Sequence, residues 1–316
     1  MNDHSPAPTL VPKVFRFNDI DTFRSFIRNV QVECIPLARE ISAEQTILNL
    51  PGCDLNYTKA FPRVIDVQLA PNTTAVGFPM DDGAAIRFNG VEHDRSLLVI
   101  GSGGAAYSAL ERTPRQYASI VFKPTVEDRG WPKTGPSFNL YETSETAKWR
   151  LRQLVREVLA IAPHLAEAPD VPGVAVAIRE SLMAAIDHAF AEVVPAKWMA
   201  RANTARQFKV FKDVQAILSS DLAQPIYSSD LASEIGVSVR TMHDAVQRYR
   251  GMSLHRYLRL RRLWLVRQNL LAGAHSVKAC ALAYGFWHLS DFSRIYRSHF
   301  GESPSETLAR SRRSRS

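Results

Sequence analysis

A chain of 316 residues, 46% hydrophobic and 22% charged, has room for two domains, each with a sizeable core. No apolar run approaches the length of a membrane span, and MNDHSPAPTL lacks the basic-then-apolar order of a signal peptide; a membrane or secreted protein is set aside and a cytoplasmic one expected. Three scattered cysteines, Cys34, Cys53 and Cys280, argue against a disulfide framework or a cysteine metal site, and the net charge of +8 points to a polyanionic partner.

Residues 1–12 are polar and proline-containing, and a disordered start is expected there. A short helix is expected within Phe15–Val32. From Ile47 to Phe122, short apolar runs alternate with turn residues: TILNL before PG, VIDVQLA before PN, AVGF before PMDDG, AAIRF before NG, SLLVIG before SGG and YASIVF before KP. β-branched residues and turns at this interval predict a β-sandwich or barrel. Within it, Glu92, His93 and Asp94 are adjacent, so strand alternation sends His93 away from the two acids. Neither His-x-His nor His-Glu-x-x-His spacing occurs, and no metal ligand is assigned. Gly101, Gly103 and Gly104 lie outside any βαβ pattern, so a β-turn is expected rather than a phosphate loop. No Ser/His/Asp or Cys/His set stands out, so no catalytic residue, cofactor or enzymatic activity is assigned.

Two helices follow, Thr143–Ala162 and Gly173–Val194, separated by Pro163–Pro172. They predict a helical hairpin at about 143–194, which either forms a dimerisation surface or packs on the sheet. Pro195–Thr204 is the candidate linker, and Phe208–Ser219 the first helix beyond it. Charge divides at the same place. Residues 1–208 hold 22 Lys+Arg and 23 Asp+Glu, whereas residues 209–316 hold 17 and 8. The basic half is the natural place for nucleic acid to bind.

Within that half a pattern occurs twice. In Tyr227–Gly251, Ser229 is placed as the cap of a helix ending at Ile235, with Ala232 small and Gly236 the turn. A second helix follows from Ser238, with Met242, Ala245, Val246 and Tyr249 as its buried face and Arg240, Thr241, His243, Asp244 and Gln247 exposed. In Ser276–Glu306, alanines at 279, 281 and 283 allow close approach, Gly285 makes the turn, and a helix over about Ser290–His299 buries Phe292, Ile295, Tyr296 and Phe300. Its other face carries Ser290, Asp291, Arg294 and Arg297, with His288 just before it. Ala232 to Met242 is ten residues and Ala281 to Phe292 eleven, so the second turn is one residue longer. A helix rich in arginine and leucine, Ser253–Leu271, joins the copies. A small helix, a glycine turn and a second helix with a polar face describe a helix-turn-helix.

LASEIGVSVRTMHDAVQRYRGMSLHRYLRLRRL and ALAYGFWHLSDFSRIYRSHFGESPSE, with the GF turn, the FSR triplet and the HFGESP ending, resemble the AraC/XylS family of bacterial transcription regulators over about Phe211–Arg310. The resemblance implies seven helices, two helix-turn-helix units in successive major grooves, and base contacts from the helices at Val239–Tyr249 and Leu289–His299. Asp244, Trp287, His288 and Asp291 depart from the family's usual residues. Before residue 200 the PG, PN and GG turns resemble the family's cupin-like sensing domain, with no ligand residue carried over.

The expected fold is α+β and multidomain. A β-rich cupin-like barrel or sandwich with its helical hairpin occupies 1–200 as a regulatory or dimerisation domain. An all-α double helix-turn-helix DNA-binding domain occupies 206–316. Candidate DNA-binding residues are Ser238, Arg240, Thr241, His243, Asp244, Gln247, His288, Ser290, Asp291, Arg294 and Arg297. Arg can pair with guanine and Gln with adenine, while an Asp accepts from cytosine or orients a neighbouring arginine. Arg256, Arg259, Arg261 and Arg262 on the joining helix are assigned to phosphate, to acids or to solvent, and Arg310, Arg312, Arg313 and Arg315 to a disordered basic tail. The expected function is effector-responsive, sequence-specific transcription regulation. The partners are double-stranded promoter DNA, an unknown small molecule, a second copy in a homodimer, and RNA polymerase if the protein activates. Two rivals are a cupin-type enzyme fused to a DNA-binding module and a nonspecific nucleoid protein.

Overall fold

Between Ala43 and Phe122 successive side chains turn to opposite faces of the sheet, and that alternation decides what each strand covers. On β4 (Cys53–Ala60), Cys53 and Leu55 enter one core while Asp54, Asn56 and Thr58 line a cavity on the other side. On β11 (Arg115–Phe122), Ala118, Ile120 and Phe122 face that core while Tyr117, Ser119 and Val121 face the cavity.

The computed structural model describes residues 10–26, 30–38, 40–82, 85–93, 97–123, 126, 129–132, 138–195, 202–220 and 228–313. The chain divides into two units, residues 1–200 and 201–316. The first is β-rich and the second helical.

In the first unit β1 (Lys13–Phe17), β3 (Ala43–Leu50), β4, β11, β6 (Thr74–Pro79), β9 (Leu97–Ser102), β12 (Asn139–Glu142) and β13 (Val194–Pro195) form one sheet in that order. A second sheet runs β2 (Val30–Pro36), β5 (Arg63–Leu69), β10 (Ala106–Glu111), β7 (Ile86–Phe88) and β8 (Val91–His93). Every pairing among the described residues is antiparallel. The β7–β8 turn is Asn89–Gly90, both with positive φ, the conformation a two-residue hairpin requires. Helix α1 (Ile20–Phe26) lies between β1 and β2. α2 (Glu145–Leu165) and α3 (Val171–Ala191) pack on the larger sheet, burying Leu151, Val155, Ile178, Leu182 and Ile186 against Leu48, Leu55 and Ile120.

The six apolar runs read from the sequence are β3, β5, β6, β7, β9 and β11. The reading missed β1, β2, β4, β8, β10, β12 and β13; on β1, β4 and β10, polar residues that face the cavity dilute the apolar signal. Leu10 is fully buried in the core, which corrects the disordered start at its end; residues 1–9 lie outside the described residues. Pro163 sits inside the last turn of α2 rather than beyond it. The sequence linker at 195–204 is narrower in the structure, because Val194–Pro195 pair with β12 and helix α4 starts at Ala202. Residues 196–201 lie outside the described residues.

Between the sheets lies a cavity of about 710 Å³. Ile65, Val67, Phe88, Tyr107 and Phe138 form its apolar wall, and Gln45, Asn56, Thr58 and Ser119 face it with amides and hydroxyls. At one end, on neighbouring strands, Arg63 and Glu111 make a buried ion pair at 3.2 Å, with the guanidinium beside the rings of Phe23, Phe61 and Tyr117. The Gly103–Gly104 segment, with positive φ at both glycines, turns the chain from β9 into β10. His93 is buried and Glu92 exposed, as alternation requires; Asp94 lies outside the described residues.

In the second unit α4 (Ala202–Ser220), α5 (Ser228–Ile235), α6 (Val239–Arg250), α7 (Leu254–Leu271), α8 (Val277–Ala283), α9 (Leu289–Phe300) and α10 (Pro304–Arg313) are the seven helices among the described residues. No described helix is long and apolar enough to cross a membrane.

Candidate nucleic-acid interface

Two helix–turn–helix arrangements stand on either side of α7. In the first, α5 ends at Ile235 and Gly236, at φ 72°, reverses the chain. The Val237 N–H then donates to the Ala232 carbonyl at 3.0 Å. Ser238 caps α6, its hydroxyl accepting from the Thr241 N–H at 3.1 Å and bonding to the Thr241 hydroxyl at 2.8 Å. Leu231 and Ala232 are buried, as are Met242, Ala245, Val246 and Tyr249. Tyr249 stacks on Phe211 of α4 at 4.8 Å, which fixes the rotation of α6 about its axis.

The second unit repeats this geometry. Gly285 has φ 76°, and the Phe286 N–H donates to the Ala281 carbonyl at 3.0 Å. Phe286 then packs on Phe292 at 5.0 Å. Phe292 and Tyr296 are buried, and the Tyr296 hydroxyl bonds Thr307 of α10 at 2.9 Å. His288 holds the cap position of α9 without a side-chain cap bond. Ala281 is buried but Ala279 and Ala283 are exposed: residues two apart cannot share one helical face. Ile295 and Phe300 are only half-buried.

α7 ties the units together. Trp264 meets Phe300 at 5.0 Å, and the buried Arg267 pairs with Glu302 at 2.8 Å while lying over Phe300. Buried Arg250 lies over Phe211 at 4.4 Å and Tyr257 at 5.2 Å. His299 is half-buried beside them. Burial, then Arg267 and Arg256, push its pKa down to about 4 and keep its ring neutral.

Residues 231–310 match the family model described as a helix-turn-helix domain. A curated relative, the XylDLEGF operon transcriptional activator 3 of Pseudomonas putida, is 36% identical over 103 residues, which cover 32% of this chain and 31% of the relative. The HTH-type transcriptional activator RhaS of Salmonella paratyphi A is 28% identical over 160 residues, 49% of this chain and 55% of the relative. The C-terminal domain belongs to the AraC/XylS type. A solved structure described as a probable AraC family transcriptional regulator from Rhodopseudomonas palustris is 36% identical, covers 33% of this chain and 97% of that one, and has a TM-score of 0.31. The match spans about a third of the length of that XylDLEGF activator and about half that of RhaS.

In the AraC/XylS-type domain the candidate residues fall on α6, on α9 and at their caps. Arg240, Asp244 and Gln247 are exposed on α6. His243 is half-buried, its Nε2 is covered, and its ring meets His255 of α7 edge-on at 6.2 Å, so only part of it faces outward. Ser238 and Thr241 are engaged with one another in the cap. His288, Ser290, Asp291, Arg294 and Arg297 are exposed, and Arg294 donates to Asp291 at 2.9 Å. Arg297 stands 3.9 Å from Glu306.

Three sequence assignments are corrected here. Ser229 lies inside α5, which starts at Ser228, and donates to Asp230. Arg310, Arg312 and Arg313 belong to helix α10 instead of a tail, with Arg310 on Glu302 at 3.0 Å and Arg312 on the His275 carbonyl at 3.3 Å; Arg315 lies outside the described residues. The first helix of the domain begins at Ala202, not Phe208. The sequence reading also passed over Arg250 and Arg267 as structural cations. Helical phase held the signal, since Arg250 follows Val246 by four residues and so falls on the buried face.

Proposed function

We propose that the chain is a sequence-specific, effector-responsive regulator of transcription that binds double-stranded promoter DNA through α6 and α9. The observation that carries this is the pair of repeated units, each burying one face of its second helix and leaving the other polar and cationic, in a segment with 17 Lys+Arg against 8 Asp+Glu. An exposed arginine on a helix of this kind can make a bidentate bond to guanine. The matched relatives are transcriptional activators, which favours regulation over catalysis and RNA polymerase as a further partner.

The first unit is the regulatory part of this reading. Its cavity of about 710 Å³ is of the size that small-molecule sites occupy. An apolar wall opposite amides and hydroxyls suits an effector with one apolar and one hydrogen-bonding face. Residues 1–200 would also carry self-association into a homodimer. The reading is tested by a mobility-shift assay of the full chain on its own upstream region, with and without excess random DNA. A shift that competitor abolishes would make the protein a nonspecific binder; no shift in any condition would refute the reading.

A further inference from the structure

The two turns differ by one residue, and the added residue is Trp287. Gly236 and Gly285 occupy the same place, and Val237 and Phe286 make the same bond back to Ala232 and Ala281. The first unit then reaches its cap at Ser238, the next residue. The second passes through Trp287 before the cap position at His288. Both flanks of the indole are pinned. Phe286 is held inward on Phe292, and the Phe292 N–H donates to the His288 carbonyl at 2.9 Å.

The result is an indole that solvent reaches over 68% of its surface, more than any other large hydrophobic side chain described. It stands one residue before the cap of α9, so it lies at the N-terminal end of the helix whose exposed face carries Asp291 and Arg294. A large apolar group at the leading end of a charged helix faces an occupant that is polyanionic but offers apolar spots. In the major groove the apolar spot is the 5-methyl group of thymine.

We propose that Trp287 is a specificity-determining residue that packs on a thymine methyl at the edge of the site read by α9. This rests on the proposed DNA-binding function.

The test lets the full-length protein select its site from random-sequence duplexes. The half whose protection Arg294→Ala weakens belongs to the second unit. Each thymine there is replaced in turn by 2′-deoxyuridine, which removes only the methyl group. Wild type should lose about three- to tenfold in affinity at one position. Trp287→Ala should lose a similar factor on the thymine duplex and be indifferent to the replacement, whereas Trp287→Phe should retain part of the sensitivity. Equal loss in wild type and Trp287→Ala, or none in either, overturns the assignment. Melting of Trp287→Ala should match wild type; if it does not, the Phe variant carries the comparison. If Arg294→Ala and Trp287→Ala both keep full preference for the selected site, α9 does not read DNA and the functional reading of the second unit falls. If only Arg294→Ala loses it, the Trp287 assignment alone falls.

Discussion

At the scale of single residues, Arg294 and Arg259 test the proposed division between reading bases and holding the backbone. Arg294 is exposed on α9 and steered by Asp291, while Arg259 is exposed on α7, where a backbone contact is the most expected of it. Arg294→Ala should weaken the selected site more than random DNA, by about 1–3 kcal/mol of discrimination. Arg259→Ala should weaken both equally or neither, as competition titrations would show. His299 supplies a pH dependence. Its folded pKa of about 4 lies below the ordinary 6.5, so the unfolded chain binds its proton first on acidification. Stability from this group is full above pH 6.5 and falls as pH drops toward 4, by roughly 3 kcal/mol at most. His299→Phe should flatten the wild-type decline in denaturant midpoint across that window; an unchanged slope would clear His299 of the effect.

At the scale of elements, the helix-turn-helix geometry rests on glycines that accept positive φ. Gly285→Ala adds a Cβ that meets little, 3.9 Å from an Arg262 nitrogen, so its cost is backbone strain of about 1–2 kcal/mol rather than a clash. Calorimetry should find the melting point lowered by a few degrees, and Gly285→Asn should cost less, because Asn tolerates this conformation better. The hairpin α2–α3 covers the larger sheet, and two arginines of α2 reach the segment after β6. Arg152 donates to the Pro79 and Asp81 carbonyls, and Arg156 to that of Met80, which secures the loop beside the cavity.

For the whole molecule, charge and fold divide together. A fragment from Arg206 to the end should shift the selected duplex alone, and residues 1–200 should not. Its affinity should fall steeply with salt, because phosphate neutralisation releases counterions. The slope should fall short of the fragment's 18 formal cations, Arg206 and the 17 of residues 209–316, since Arg250 and Arg267 are buried against rings and acids and cannot reach a phosphate. A slope near zero, or a shift by 1–200 only, would reverse the assignment of roles.

The sequence alone determined what is local. Residues three and four apart share a helix face, and a glycine after a periodic run ends it, so Met242, Val246, Phe292 and Tyr296 were legible as buried. Six strands were legible because their apolar runs were cut by turn residues. The tertiary structure alone decided what depends on partners distant in the chain. β4 and β10 look polar until the cavity shows what their inner residues face. Leu10 looks like part of a loose start until the core closes over it. His243 looks like a base reader until His255, twelve residues on, covers one side of its ring. Trp287 is one letter in a turn until both of its flanks are anchored and its indole is left outside. Spacing along the chain fixes which face a side chain is on; only packing fixes whether anything already stands there.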